Sequence, residues 1–457
     1  MLELTEVGDS SRAAGRGVLL TGVTGFLGKV VLDELLRRRG ELGIERVVVT
    51  VRAPDDEAAR GRFRREVAES PALDAHSDGW TEDIRVVCSD LSKPLAGIAP
   101  DVRSELVGQI THVVHCAASV EFALPIQEAL AANVTAALHT LELARDCDVE
   151  AMVSVSTAYS TPHSGSGLHP VDEELASLPW DADDLYDAIL EGAVDEASLL
   201  KESGHPNTYT LTKCLAEHLL TRRAGGIPLT LLRPSIISAS RRTPEPGWID
   251  STAAFAGVVM LLGSGHLRAL YGEPSALVDL VPCDDVARRV VDCVFDPPRM
   301  GDGVAIRHAT AGPMHSPSID LCRDRIVGFF EENPVSGGPR LGYVGSNRAR
   351  FWVEDALRHR LPTALASSWH RARGQDGAVR ATRRMADRRD SLLSEFPYFT
   401  HSSFDFRSSL PLESDFDPAD YVDTICDGVH RNLLAPRRRR RPCAKREAVA
   451  SAQLPRG

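Results

Sequence analysis

Tyr209 and Lys213 stand four positions apart in Tyr209-Thr210-Leu211-Thr212-Lys213, a spacing that sets a phenol and an ammonium one helical turn apart on one face. A free phenol, with a pKa of about 10, is a poor proton donor or acceptor at neutral pH. A nearby ammonium and the positive charge of an oxidised nicotinamide both favour phenolate and lower that value. The same ammonium can hydrogen-bond a nicotinamide ribose. Upstream, Ser154-Val155-Ser156-Thr157-Ala158-Tyr159 supplies a hydroxyl for a substrate carbonyl oxygen, from Thr157 or, one register away, Ser156. Y-x-x-x-K is frequent by chance, so these groups acquire meaning only if other residues bring a cofactor to them.

Thr21-Gly22-Val23-Thr24-Gly25-Phe26-Leu27-Gly28 is suited to that task. It follows an apolar run, Val18–Thr21, and precedes helical spacing over Lys29–Arg39. Gly22 permits the tight turn, Gly25 lets backbone N–H groups approach a pyrophosphate, and Gly28 lets helix and sheet pack closely. The helix start then offers unpaired N–H groups and partial positive charge to the phosphates. The next strand, Arg46–Val51, ends at Arg52 with no acid before Asp55. A guanidinium there suits a 2′-phosphate rather than a 2′-hydroxyl, which favours NADPH. Ser89-Asp90-Leu91 offers an acid for an adenine edge, and small residues within His112–Ala118, including Ala117, let a cofactor pass close to the backbone. The predicted cofactor contacts are thus Thr21, Gly22, Thr24, Gly25, Phe26, Leu27, Gly28, Arg52, Asp90, Leu91 and Ala117, with Tyr209 and Lys213 at the nicotinamide end.

The elements that must position these groups are legible as alternating runs. Continuous apolar stretches at Val18–Thr21, Arg46–Val51, Ile84–Cys88, His112–His115, Ala151–Val155 and Leu229–Leu232 read as buried parallel strands. Helical spacing separates them, as over Gln127–Ala144 and Thr210–Arg223. The expected fold is α/β, a Rossmann-like doubly wound parallel sheet with a smaller substrate subdomain and a mainly helical C-terminal domain. The expected domains are a leader (1–16), a nucleotide-binding reductase domain (17–300) with an insert at 160–206, a helical domain (301–435) and a basic tail (436–457). The insert's carboxylates (Asp172, Glu173, Glu174, Asp181, Asp183, Asp184) read as a solvated acidic face.

Glycine cradle, hydroxyl and Y-x-x-x-K in this order resemble the extended short-chain dehydrogenase/reductase superfamily. The segments TGVTGFLGKVVLDELLR, HCAASVEF, NVTAALHTLELA, VSVSTAYS, PNTYTLTKCLAEHLL, LRPSIISAS, PEPGWID and VDLVPCDDV narrow the resemblance to the fatty acyl-CoA reductases over roughly residues 17–300; residues 350–435 resemble that family's C-terminal domain only loosely. The resemblance implies NADPH-dependent reduction of a long-chain acyl-CoA thioester, in two hydride steps, to a primary alcohol. It makes Thr157 the active-site hydroxyl, Tyr209 the proton donor, Lys213 its partner, and Gly22, Gly25 and Gly28 the phosphate loop. No metal or cysteine nucleophile is needed: Cys116 and Cys214 read as packing residues, and His115 and His205 receive no role. Phe255, Val258, Val259, Met260, Leu261 and Leu262, with Phe396, Tyr398, Phe399, Phe404 and Phe406, are candidates for an acyl channel or for ordinary core.

Composition sets the outer limits. The chain has 457 residues, 43% hydrophobic and 25% charged, with a net charge of −12, which suits a soluble globular protein and argues against nucleic-acid binding by the body. The run Ala253–Gly263 is too short to span a bilayer. Nine cysteines without a C-x-x-C pair fit a reducing, cytoplasmic setting. The arginine run Arg437–Arg441 is a candidate contact for CoA phosphates or an anionic membrane surface, or simply a solvated tail. An aldehyde-forming reductase acting on CoA or carrier-protein thioesters, a nucleotide-sugar epimerase or dehydratase, and a nucleotide-sensing regulator are the competing readings. The last of these sits poorly with an intact Tyr209 and Lys213.

Overall fold

Aliphatic and β-branched runs become the strands of one sheet: β1 (Arg16–Thr21), β2 (Ile44–Val51), β3 (Ile84–Cys88), β4 (His112–His115), β5 (Ala151–Val155), β6 (Leu229–Pro234) and β7 (Ala305–Ala309). Their spatial order is β3-β2-β1-β4-β5-β6-β7, with every neighbouring pair parallel. This computed structural model describes residues 15–163, 167–299, 303–335, 338–410 and 415–435. The expected leader up to residue 14 and the basic tail 436–457 lie outside the described residues.

Most of the strands are largely apolar because both sheet faces are covered. Val18 and Leu20 point into one buried cluster with helices α1 (Phe26–Arg37) and α5 (Cys283–Phe295). Leu19, one residue out of phase, points into the cluster formed by α2 (residues 126–146) and α3 (Thr208–Arg223). Such two-sided burial removes the polar alternation of a half-exposed strand.

Two expected boundaries move. Arg16, placed in the leader by its sequence, opens β1 opposite Ile44. More substantially, the sheet does not end at 300, since β7 pairs along β6 at Ala305–Ala309. Its central Arg307 and His308 hide the apolar run that marks the other strands.

Further helices that bear on the site and the C-terminal half are α4 (Ala254–Gly263), α6 (Ile319–Glu332), α7 (residues 348–372, with a π-helical turn at Ala356–Arg360), α8 (Asp376–Glu395) and α9 (Pro418–Val429). Residues beyond 310 share one buried cluster with Tyr159, Val171 and the segment 236–280. Short parallel pairs reinforce the joint, Ser403–Phe406 beside Leu168–Val171 and Tyr343–Gly345 beside Ala269–Tyr271.

The acidic insert is largely the solvated face expected, with Asp172, Glu174, Asp181 and Asp184 exposed, but some of its carboxylates also make fixed contacts. Asp181 caps the helix Ala182–Leu190, Asp183 pairs with Arg222 and Arg223, and Glu173 accepts the His308 N–H at 2.7 Å. These carboxylates fasten the insert to α3 and β7.

Candidate active site

Between β1 and β4 the order of connections reverses, and at such a switch point the loops part to leave a crevice at the carboxyl ends of the strands. A cavity of about 360 Å³ lies there, lined by Gly22, Thr24, Gly25, Arg52, Asp90, Leu91 and Ala117 among others. Gly22 has φ +75°, and a Cβ on it would sit 2.6 Å from the Ala117 nitrogen. A Cβ on Gly28 would sit 2.1 Å from the Gly22 carbonyl oxygen. Both positions therefore require glycine for close backbone approach, whereas at Gly25 the nearest atom would be 3.2 Å away. No side chain caps α1, and its first turn carries no acid, so its N–H groups face the crevice as an anion cradle. These features fit a dinucleotide.

Three expected cofactor contacts do other work. Thr21 is fully buried, its Oγ1 2.9 Å from His115 Nδ1 and accepting the Ala117 N–H at 3.2 Å. It shapes the crevice wall from behind. Phe26 stacks on Trp248 with centroids 5.3 Å apart, while Leu27 packs on the core between α1 and α5. Lys29 adds an ion pair of 2.5 Å to Asp250. The Gly-Trp-Ile-Asp segment thus docks on the start of α1.

Asp90 lines the crevice. Burial opposes its charge, but hydrogen bonds from Ser92 and the Lys93 ammonium hold its carboxyl below the ordinary value. A second arginine stands beside Arg52: Arg62 also lines the cavity, donates to the Arg52 carbonyl at 2.9 Å and pairs with Glu66 at 3.0 Å. Nothing in the sequence marks Arg62, because its helix, Asp56–Phe63, looks like any charged surface helix.

At the other end of the crevice, α3 begins with Asn207, whose side chain accepts the Thr210 N–H at 2.9 Å. That cap starts the helix one residue before Tyr209 and sets Tyr209, Lys213 and Glu217 along one face. Lys213 is buried and donates to the Val155 carbonyl at 2.9 Å, which ties α3 to the end of β5. Burial lowers its pKa to about 8, against the opposing pull of Glu217. Glu217 in turn forms a buried pair with Arg233, at 2.9 and 2.6 Å.

Thr157 carries the hydroxyl that reaches the Tyr209 phenol; Ser156 Oγ is buried without a partner among the described residues. Burial pushes the phenol up to about 12, and only the Thr157 bond pulls it down. The expectation that Lys213 lowers it is therefore not met by the protein alone. Desolvation of the ring outweighs a cation that is itself held by a carbonyl.

Asn133 is a further residue of the site whose role its sequence context does not mark. It sits in a π-helical turn of α2, accepts the Ser119 N–H at 2.9 Å and donates to Thr212 Oγ1 at 3.0 Å. It thereby locks the crevice wall to the residue preceding Lys213. His115 and His205 are buried and neutral, with pKa values lowered by desolvation to about 3 and about 4. Burial raises the thiols of Cys116 and Cys214 to about 12.

From Tyr209 an aromatic file leads away from the crevice. Phe122 lies 5.6 Å from Tyr209 and 5.8 Å from Phe399, and Phe399 lies 6.1 Å from Phe396. Phe396, Phe255, Val258 and Leu262 then line an apolar cavity of about 20 Å³. Val259, Met260, Leu261, Phe404 and Phe406 belong to the buried cluster around it, with Tyr398 packed against that cluster.

The sheet order, glycine cradle and Tyr–Lys helix together define an oxidoreductase of the NAD(P)-binding Rossmann type. Residues 20–290 match the family described as male sterility protein, an NAD-binding family, and the chain belongs to it. Among curated proteins it is 28% identical to fatty acyl-CoA reductase 1 of Gallus gallus and 27% identical to fatty acyl-CoA reductase 2 of Bos taurus. Each alignment covers 92% of this chain and 85% of the relative. Among solved structures, the terminal R domain of the myxalamid PKS-NRPS pathway superposes with a TM-score of 0.65 at 21% identity, covering 93% of both chains. The reductase domain of a nonribosomal peptide synthetase from Mycobacterium tuberculosis gives 0.60 at 20% identity, covering 92% of this chain and 91% of that one.

Proposed function

We propose that the protein reduces a long-chain fatty acyl-CoA to the primary alcohol, with NADPH as reductant. The observation that carries this reading is the meeting, at one end of a dinucleotide crevice, of Thr157, Tyr209 and Lys213. Family membership and the named relatives support the acyl-thioester substrate. Arg52 and Arg62, side by side at the adenosine end, support a 2′-phosphate.

A nicotinamide bound in the crevice supplies hydride to the carbonyl carbon. The protein's part is to meet the charge that develops on oxygen. Thr157 and Tyr209 donate to that oxygen, and Tyr209 yields its proton to it. Collapse of the resulting hemithioacetal returns its hydroxyl proton to the Tyr209 phenolate and breaks the C–S bond, releasing CoA thiolate and an aldehyde. The aldehyde takes a second hydride and a proton from Tyr209 to become the alcohol. Lys213, anchored by the Val155 carbonyl, holds positive charge beside the phenol and near the ribose.

The test is NADPH consumption across acyl-CoA chain lengths, with products identified by gas chromatography. Two NADPH consumed per CoA released, with alcohol as product, is the expected result. One NADPH with accumulating aldehyde refutes the four-electron reaction, and no consumption with any acyl-CoA refutes the substrate class. Replacing Arg52 and Arg62 together by Ala should raise the KM for NADPH at least tenfold and leave that for NADH nearly unchanged. An equal effect on both cofactors removes the 2′-phosphate assignment.

A further inference from the structure

Helix α7 carries large apolar side chains at Val353, Leu357, Leu361, Leu365 and Trp369, every fourth position, with Trp352 beside the first. All six are exposed, from 49% at Trp369 to 67% at Trp352. A four-residue step overshoots an α-helical turn by about 40°. The wider π turn at Ala356–Arg360 takes up part of that drift and keeps the residues in one ridge.

The opposite face of this hairpin is firmly docked. His359 Nε2 accepts the Arg268 N–H at 2.7 Å while its Nδ1 lies 2.8 Å from Asp355. Arg388 of α8 donates to the Thr252 carbonyl at 2.8 Å, and Val379 and Leu392 are buried. The ridge therefore points outward because the other side is already committed.

Charge singles out the same hairpin. Residues 348–390 hold eleven arginines against five carboxylates, in a chain whose net charge is −12. Arg348, Arg360, Arg371 and Arg380 are exposed beside the ridge, and the Arg373 guanidinium lies 3.7 Å over the Trp369 ring. At the inner edge, the Arg358 guanidinium lies against Gly342, whose N–H bonds the Arg268 carbonyl. Burial and the charges of Arg340, Arg389 and Arg358 press Arg268 below the ordinary arginine range. A ridge of Leu and Trp flanked by arginine matches an interfacial helix lying in the headgroup layer of an anionic bilayer. No described helix is long and apolar enough to cross a membrane.

We propose that the α7–α8 hairpin seats the protein on anionic membranes, with the Trp352–Trp369 ridge entering the lipid and the flanking arginines contacting headgroup phosphates. The test is flotation of the full chain with vesicles of phosphatidylcholine alone or with phosphatidylglycerol added. Binding should need the anionic lipid, weaken as salt rises, and fall at least tenfold in Leu357→Glu/Leu361→Glu. Leu365→Glu serves as a second variant should the pair disturb the helix by circular dichroism. Turnover of a short, water-soluble acyl-CoA should be unchanged in these variants. Three results overturn the proposal: equal binding by variant and wild type, binding lost only when Arg437–Arg441 are replaced by serine, or an altered sedimentation coefficient in the variants without vesicles, which marks the ridge as a contact between copies. Vesicle binding is read without turnover, so its failure leaves the proposed reaction standing.

Discussion

At Tyr209 two influences oppose each other: burial holds the proton on the phenol, and Thr157 eases it off. A protonated phenol is the state a reductase needs when an oxyanion forms beside it. Tyr209→Phe keeps the ring and its contact with Phe122 but has no proton to give. Its turnover should fall by roughly 10²–10⁴, the usual worth of a positioned acid, with unchanged NADPH affinity in a fluorescence titration. Lys213 brings a pH dependence. Its pKa of about 8 means that the ammonium is lost as pH rises through that value. Cofactor kcat/KM should therefore decline above pH 8 in steady-state profiles, and Lys213→Arg, which stays charged, should move the break upward. A profile flat to pH 10 would show that the charge does not matter.

The glycine turn acts at the scale of the element. A methyl group on Gly28 meets a carbonyl oxygen that belongs to the turn itself, so neither side can yield without displacing α1 from the sheet. Gly28→Ala should cost about 1–3 kcal/mol as an overpacked contact, seen as a lower midpoint in urea unfolding together with lost NADPH binding. Gly25→Ala, whose Cβ would sit 3.2 Å from the Gly22 carbonyl oxygen, a tight contact that a small local shift relieves, should disturb stability less. The same scale explains how α3 serves the site. An asparagine cap fixes its start, and a buried Glu217–Arg233 pair fixes its middle to β6. Lys213 is thereby placed under the end of β5 by contacts on both sides.

Across the whole molecule, the buried histidines set a limit toward acid. His112, His115 and His205 have pKa values lowered by burial to about 4, 3 and 4, against an unfolded value of about 6.5. Between those values the unfolded chain binds more protons, so stability rises with pH there and falls on acidification. Each histidine should contribute a slope of at most about 1.4 kcal/mol per pH unit. Thermal midpoints should therefore drop steadily from pH 6.5 toward pH 4, and His115→Gln should flatten part of that decline. A midpoint constant over this range would contradict the neutral, buried assignment.

Local order was readable because local order is what the chain encodes locally. A glycine triplet between a strand and a helix needs only its neighbours to take shape, and Tyr209 and Lys213 share a face through helical pitch alone. Runs such as Ile84–Cys88, His112–His115 and Ala151–Val155 announce strands because both of their faces are apolar. Asn133 and Glu217 gave no comparable sign, since each meets a partner far away in the chain, Thr212 and Ser160; Arg62 pairs only with near neighbours and is singled out by the crevice it lines. The strand at 305–309 escaped for the same reason as Asn133 and Glu217: its polar residues meet distant partners, Glu173 beside Arg307 and the His308 N–H, and the Arg407 carbonyl 2.7 Å from His308 Nδ1. Distance along the chain, not chemistry, separates the two groups. Contacts within a turn follow from residue type, whereas long-range partners, and the choice of which apolar faces stay uncovered, are settled by how the layers pack.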